Sequence, residues 1–146
     1  TDGNNVTTGE TDLYSYTTPA STLAANGDKL AATYAGTFND ATANSVLKIY
    51  FAGTQISSDI TGVGTGSWEA TVLVIRSGSS TARATVSIHL EEDTQSDVQL
   101  QTDLTGITWT NTNILKITGT ASGVGGGSDD ITAKLGVIEW KPAAVN

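Results

Sequence analysis

Hydrophobic and polar residues alternate with a period of two over most of the chain between residues 13 and 140. Successive side chains of an extended strand point to opposite faces, so this period predicts β-strands that each bury one face. Clusters of Gly, Asn, Ser and Asp interrupt the alternation and mark turns. The predicted strands cover 13–18, 28–38, 45–52, 54–57, 67–76, 81–90, 98–104, 113–120 and 130–140.

The strands over 67–76 and 81–90 form the clearest predicted hairpin, because the Ser- and Gly-rich segment 77–80 joins them as a tight turn. Their predicted inner faces carry Trp68, Ala70, Val72 and Val74 on the first strand and Ala82, Ala84, Val86, Ile88 and Leu90 on the second. The Gly-rich stretches 58–66 and 121–129 are predicted to be loops.

Short strands at regular spacing, with no credible helix between them, predict two packed antiparallel sheets. The predicted fold class is all-β, an antiparallel β-sandwich of jelly-roll type with eight or nine strands. The polar segment 1–12 lacks periodicity and is predicted to be a flexible N-terminal arm. The jelly-roll domain then spans 13–140, and 141–146 is predicted to be a loose C-terminal tail.

Several predicted strands carry hydrophobic residues on both faces, which is typical of strands that are buried on both sides. We therefore predict a homo-oligomer whose interface uses side chains opposite the core faces. The interface candidates are Val46, Tyr50, Leu73, Ile75, Ile138 and Trp140. On the last strand, the core face is predicted to hold Ile131, Ala133, Leu135 and Val137. The alternative is a set of single apolar residues scattered over an ordinary surface.

The composition limits which partners the protein is expected to bind and which metal sites it can form. Seven basic residues against fifteen acidic ones, for a net charge of −8, argue against binding to the phosphate backbone of nucleic acids. The absence of cysteine excludes disulfides and thiolate metal sites, and a single histidine, His89, excludes a multi-histidine metal site. The chain contains no apolar run of about 18 residues, so no membrane-spanning segment is predicted. Because only 15% of the residues are charged, several strand faces lack polar cover.

The motifs that are associated with catalysis do not fit the predicted strands. Ser45 and Lys48 match the S-x-x-K pattern, but a strand places them on opposite faces. The Gly-rich stretches 62–66 and 123–127 open no helix, so they lack the helix N-terminus that holds an anion. The acidic clusters, Glu91-Glu92-Asp93 with Asp97 and Asp129-Asp130, match no established calcium loop and are predicted to be solvated. We predict no catalytic residue, no metal and no cofactor.

Trp109 is the candidate for a contact with a glycan. The chain contains three tryptophans and four tyrosines, and a sugar stacks on an aromatic ring that is flat, exposed and flanked by polar groups. Trp68 belongs to a predicted core face, whereas Trp109 lies in the polar segment TGITWTNTN, near a loop.

The order of residues resembles a module of tailed-bacteriophage virion proteins. The segments that carry the resemblance are LYSYTTPASTL at 13–23, NGDKL at 26–30, YAGTF at 34–38, LKIYFAGT at 47–54, SWEA at 67–70, VIRSG at 74–78, DIT at 130–132 and VIEW at 137–140. They cover about residues 11–140. The resemblance implies a trimeric, TNF-like jelly-roll β-sandwich with no catalytic residues.

In function, the resemblance implies a non-enzymatic structural protein on the virion surface. It would be a homotrimer that contacts other virion proteins, as a capsid decoration protein, a head fibre or a fibre tip. The chain lacks a long heptad or triple-helical stalk, which favours a small virion protein or an isolated head domain. The alternatives are a module of a tail fibre that binds a carbohydrate or host receptor, and a subunit of an extracellular filament. No binding to nucleic acid and no membrane insertion are expected.

Overall fold

The computed structural model of the protein describes residues 3–4, 9–91, 98–122 and 131–143. These residues contain no helix and form nine strands, which pair antiparallel throughout. The strands are β1 (Gly3–Asn4), β2 (Thr11–Thr18), β3 (Lys29–Phe51), β4 (Thr54–Gln55), β5 (Ile60–Arg76), β6 (Ala82–Glu91), β7 (Val98–Leu104), β8 (Asn113–Ser122) and β9 (Ile131–Lys141). The all-β antiparallel sandwich expected from the period of two is therefore confirmed.

The long strands β3 and β5 pair with each other over most of their length and contribute to both layers of the sandwich. The first half of β3 lies between β5 and β9, in the order β1-β9-β3-β5-β6-β7, and we call this layer the β9 sheet. The second half of β3 lies between β8 and the beginning of β5, with β2 on the far side of β8. We call this layer the β8 sheet. A register shift between residues 40 and 44 separates the two halves of β3.

Two predicted boundaries are wrong at this long hairpin. The predicted strands over 28–38 and 45–52 belong to one strand of 23 residues. Most of the predicted loop over 58–66 lies in β5, where Gly64 and Gly66 pair with β3. Strand pairing uses backbone groups that glycine also carries, so a Gly-rich sequence does not by itself exclude a strand.

The two sheets bury their facing sides in one hydrophobic core. Its largest fully buried side chains include Trp68, Tyr34, Phe38 and Phe51. Every residue predicted for the inner faces of the hairpin over 67–76 and 81–90 is buried, so this prediction is confirmed. Burying one large apolar side chain contributes about 1.5–3 kcal/mol, whereas an exposed ion pair contributes less than about 1 kcal/mol. The core is therefore the main source of stability.

A β-bulge interrupts the pairing of β9 with β3. Ala133 lies opposite Gly36, but Leu135 lies opposite Ala35, the next residue of β3. Lys134 is therefore an extra residue on β9 without a partner on β3. An inserted residue of this kind inverts the alternation of the strand beyond it.

The bulge overturns the predicted core face of the last strand. Ile131 and Ala133, which precede the bulge, are buried as predicted. Leu135 and Val137, which follow it, are 49% and 47% exposed, so their predicted burial is wrong. Ile138 packs against the core instead.

Both described ends of the chain make specific contacts. Within the segment predicted to be an N-terminal arm, β1 pairs with Thr132 and Ala133, and β2 begins at Thr11. The predicted loose tail begins with Lys141, which is the last residue of β9. Two residues later, the backbone N–H of Ala143 donates to Asp28 Oδ1 at 2.8 Å.

Replacing Gly136 with alanine is expected to lower the free energy of unfolding by about 1–2 kcal/mol. A Cβ at Gly136 would lie 2.6 Å from Cζ of Tyr14, whose ring packs against Tyr34 with a centroid distance of 5.7 Å. The half-buried Tyr14 ring can move, which limits the loss. Equilibrium denaturation of Gly136→Ala and Gly136→Ala/Tyr14→Leu measures the effect. An equal loss in the Tyr14→Leu background would contradict this steric explanation.

Candidate functional site

The side of the β9 sheet that faces away from the core carries mostly small and aliphatic side chains. Strand pairing places Val137, Thr33 and Thr71 in one row across β9, β3 and β5. Leu135 and Ala35 form the next row in one direction, and Glu139, Ala31 and Leu73 form the next row in the other. We call this surface the outer face, and its residues are Ala31, Thr33, Ala35, Thr71, Leu73, Leu135 and Val137.

Two shallow cavities flank the middle of the outer face. One of about 140 Å³ lies between Thr33 and Val137, and one of about 300 Å³ lies between Thr33 and Leu73. Ala31 lines both of them. Because the side chains between the cavities are short, another molecule can come close to the backbone of β3 here.

Apart from Glu139, which lies beside Ala31, charged side chains lie at the ends of the outer face. Lys141 and Lys29 pair across β9 and β3 in a basic row that continues to Arg83 on β6. At the opposite end, Glu69 pairs with Ala35, and Glu91 lies further along β6. An apolar middle with a polar rim is the usual composition of a protein–protein interface.

Two residues of the basic row are held by neighbouring carboxylates. Arg83 Nε donates to Asp103 Oδ1 at 2.9 Å, and Lys141 Nζ lies 2.9 Å from Glu139 Oε2. The hydrogen bond from Arg83, with its positive charge, holds the pKa of Asp103 below its ordinary value. Both pairs are exposed, so they orient the rim more than they stabilise the fold.

The edge of β9 borders the outer face and is open over most of its length. β1 pairs with only Thr132 and Ala133, whereas β9 continues to Lys141. Within the part of the chain that the structure describes, no strand pairs with this edge beyond Ala133. Backbone N–H and C=O groups along an open edge are a template for another strand.

The six predicted interface residues lie on three different surfaces. Leu73 belongs to the outer face, and Ile75 pairs with Lys29 in the basic row. Val46 and Tyr50 lie on the solvent side of the β8 sheet, whereas Ile138 and Trp140 lie on the core side of β9, opposite Ala32 and Leu30. Trp140 remains 49% exposed at the end of that strand. Of the six, Leu73 and Ile75 are the two that lie on the outer face or its rim.

Charged groups surround Tyr50 on the β8 sheet. Lys48 Nζ lies 3.7 Å from Glu10 and 3.8 Å from Asp59, and Lys116 Nζ lies 5.5 Å from the centroid of the Tyr50 ring. Burial, and next the hydrogen bond to Glu10, raise the pKa of Tyr50. Charged side chains therefore surround the centre of this surface, whereas the centre of the outer face, at Thr33 and Val137, borders one charged residue, Glu139.

Sequence patterning assigned Leu135 and Val137 to the core, although the sequence itself contains a sign that the strand changes phase. The apolar positions of 130–140 change from odd to even numbers between Val137 and Ile138. Such a change of phase within one strand indicates a bulge. The structure places the bulge at Lys134, which exposes both residues.

Trp109 does not offer the exposed ring that was predicted for a glycan contact. Its side chain is 6% exposed, its ring packs against Phe51, and its Nε1–H donates to the carbonyl of Gly78 at 3.2 Å. The predicted exposure is wrong because the polar loop that contains Trp109 folds its ring inward.

The structure does not bring together the other candidate residues for catalysis or metal binding among those that it describes. Ser45 is buried, whereas Lys48 lies on the solvent side of the same strand. The acidic residues at 92–93, 97 and 129–130 lie outside the described residues, and so does the Gly-rich stretch 123–127. Over the described ranges, no group of three or more His, Asp or Glu side chains is placed to hold a metal ion. The same ranges contain no helix that is long and apolar enough to cross a membrane.

Comparison with known proteins gives little beyond the structure itself. No protein-family model matches the sequence, and no curated protein matches it. Among solved structures, the alginate lyase from Klebsiella pneumoniae is 8% identical, with a TM-score of 0.33. The match covers 81% of this chain and 60% of the lyase, so this chain spans less than two thirds of that protein. A likeness this weak supports no conclusion about function.

Proposed function

We propose that the protein is a non-enzymatic structural domain of a bacteriophage virion, which assembles as a homotrimer on the virion surface. The observation that carries the self-assembly is the pair of exposed residues Leu135 and Val137 beside the open edge of β9. The virion setting and the number of three subunits come from the resemblance in the sequence. The role is that of a capsid decoration protein, a head fibre or a fibre tip, bound to other virion proteins.

The outer face alone is smaller than the area that a stable protein–protein interface buries. With the basic row and β6 included, this surface extends for roughly 20 Å along the strands, from Lys29 to Ala35. Across its four strands it spans roughly 15 Å. The resulting area of about 300 Å² is below the roughly 800 Å² that each partner buries in a stable interface. The proposed contact therefore includes the edge of β9 and the charged rim, in addition to Leu135 and Val137.

The chemistry of the rim favours a second copy of this chain as the partner. Lys29 and Lys141 lie at one end of the outer face, and Glu69 and Glu91 lie at the other. A second copy can set its acidic end against Lys29 at this end, where Lys141 already pairs with Glu139, while the two apolar middles meet. Opposite charges at such a rim steer association and fix its orientation.

The double variant Leu135→Lys/Val137→Lys is expected to dissociate the trimer. Two charges would then lie where the apolar middle of the interface loses its water, which is unfavourable. Size-exclusion chromatography with light scattering, at micromolar concentration, measures the change. The unmodified chain should have about three times the mass of one 15.0 kDa chain, and the variant should have the mass of one chain.

Ile114→Lys is the matched control, because Ile114 is 45% exposed but lies on the β8 sheet. This variant should remain a trimer, and circular dichroism should show that both variants are folded. A monomeric unmodified chain would overturn the proposal, and a dimer would overturn the number of three. Equal dissociation by Ile114→Lys would show that the contact lies elsewhere.

The neighbouring genes test the virion setting separately. Capsid genes beside this one would support decoration or a head fibre, and tail genes would support a fibre tip. A neighbourhood without virion genes would contradict the virion role and leave the test of assembly unaffected.

A further inference from the structure

A cavity of about 480 Å³ lies beside the turn between β5 and β6, away from the outer face. Its lining includes Arg76, Trp109 and five serine and threonine residues. We call it the Arg76 pocket. Its volume lies within the range of about 300–1,000 Å³ that is usual for sites that bind small molecules. Arg76 is the one charged residue in its lining.

The guanidinium of Arg76 is fixed in place. Nη1 donates to the carbonyls of Leu23 and Ala24, each at 2.7 Å, and Nε donates to the carbonyl of Gly78 at 3.1 Å. The guanidinium carbon lies 5.3 Å from the centroid of the Trp109 ring, a stacking distance. Nη2 has no acceptor among the described residues, so it keeps two N–H groups for a ligand.

The wall of the pocket that faces the connector before β3 is also held by specific contacts. Ser21 has a φ of +60°, a left-handed conformation that is uncommon for a residue other than glycine. Its backbone N–H donates to the carbonyl of Trp109 at 2.9 Å. On the far side, the Nε1–H of Trp109 donates to Gly78. A strained residue that is fixed in this way is typical of binding sites, where it positions the groups around it.

The lining offers many hydroxyl groups that the protein itself does not use. Ser21, Ser79, Ser80, Thr108 and Thr110 have no side-chain hydrogen bond to any residue that the structure describes. Each hydroxyl can both donate and accept. The neighbouring hydroxyls of a sugar have the same double capacity, so they can match such a lining.

We infer that the Arg76 pocket binds a glycan that carries a carboxylate, such as a uronic or sialic acid. Arg76 Nη2 donates to a carboxylate oxygen, because a hydrogen bond between two charged groups is shorter and stronger than one between neutral groups. The serine and threonine hydroxyls bind the hydroxyls of the sugar. The pocket shares no residue with the outer face, so its test is separate from the test of the proposed assembly.

The test uses pairs of saccharides that differ in the carboxylate: trigalacturonate against its methyl ester, and sialyllactose against lactose. NMR of the ¹⁵N-labelled chain follows the three indole N–H signals during each titration. Both acidic sugars, or one of them, should shift the Trp109 signal and leave those of Trp68 and Trp140 in place. The two neutral sugars should bind at least about tenfold more weakly, since they lack the charge that Arg76 pairs with.

Thr110→Glu is expected to weaken binding of the acidic sugar at least about fivefold, because it adds a negative charge to the pocket. Thr105→Glu is the matched control, since this exposed residue of the same loop does not line the pocket. Equal binding of the acidic and neutral sugars, no binding of any, or an equal effect of both variants would overturn the inference. Saturation by acetate, or by a peptide with a free C-terminus, at the same concentration would overturn the choice of a glycan.

Discussion

Replacing Gly36 with alanine is expected to lower the free energy of unfolding by about 3 kcal/mol or more. A Cβ at this position would overlap the carbonyl oxygen of Thr132 and would lie 2.6 Å from Cζ2 of Trp68. Trp68 lies directly opposite on β5 and is 2% exposed, and the Thr132 carbonyl belongs to the backbone of β9. Neither neighbour can move without disturbing the core or the β9 sheet. Equilibrium urea denaturation measures the loss.

Gly53→Ala is the control for the conformational freedom of glycine alone. Gly53 has a φ of +81°, and a Cβ there would have no atom within 4 Å, so about 1 kcal/mol of backbone strain is expected. A loss at Gly36 no larger than this would contradict the steric argument. In a Trp68→Leu background, Gly36→Ala should cost less, because the ring contact is gone and only the overlap with Thr132 remains.

Gly36 lies beside the bulge that exposes Leu135 and Val137 on the outer face. It pairs with Ala133, immediately before the extra residue Lys134. A residue without a side chain allows the backbone of β9 to come close to β3 at this position. The bulge that follows turns Leu135 and Val137 away from the core. The surface proposed for assembly therefore begins next to a glycine that is buried on the other side of the sheet.

The sequence predicted those parts of the fold in which burial alone decides the pattern. The hairpin over 67–76 and 81–90 shows this best, because one face of each strand is buried at every second residue. The first half of β3 behaves in the same way, with Leu30, Tyr34 and Phe38 inside. One buried face on each strand produces the alternation, so the alternation is enough to identify the strand and its core face.

Features that arise from contacts between distant strands could not be predicted in this way. The order of the strands, the continuity of β3 through both sheets, and the bulge at Lys134 depend on partners far away in sequence. The folding of the Trp109 loop depends likewise on the carbonyl of Gly78, 31 residues away. At the candidate interface, local patterning placed Leu73 on the outer face but assigned Leu135 to the core.

Asp28→Ala is expected to lower the free energy of unfolding by about 3 kcal/mol. Asp28 is 4% exposed, and its two carboxylate oxygens accept hydrogen bonds from the backbone N–H groups of Ala25 and Ala143, each at 2.8 Å. The carboxylate therefore joins the connector before β3 to the residue two positions beyond β9. Its removal leaves two partly buried donors without partners. Chemical denaturation at pH 7 measures the loss, and Asp103→Ala, which breaks an exposed ion pair, should cost much less.

The pH dependence of the free energy of unfolding tests whether the charge of Asp28, and not only its shape, stabilises the fold. The hydrogen bond from Ala25, followed by that from Ala143, holds the pKa of Asp28 below its ordinary value, so the unfolded chain binds this proton more readily. The stabilisation should be complete above about pH 5 and should decline as the pH falls through the pKa of the folded state, below about pH 4. Asp28→Asn, which keeps the shape but does not titrate, should therefore differ most from the unmodified chain near neutral pH and least in acid. A constant difference from pH 2 to pH 7 would show that the ionised carboxylate is not what joins these two segments.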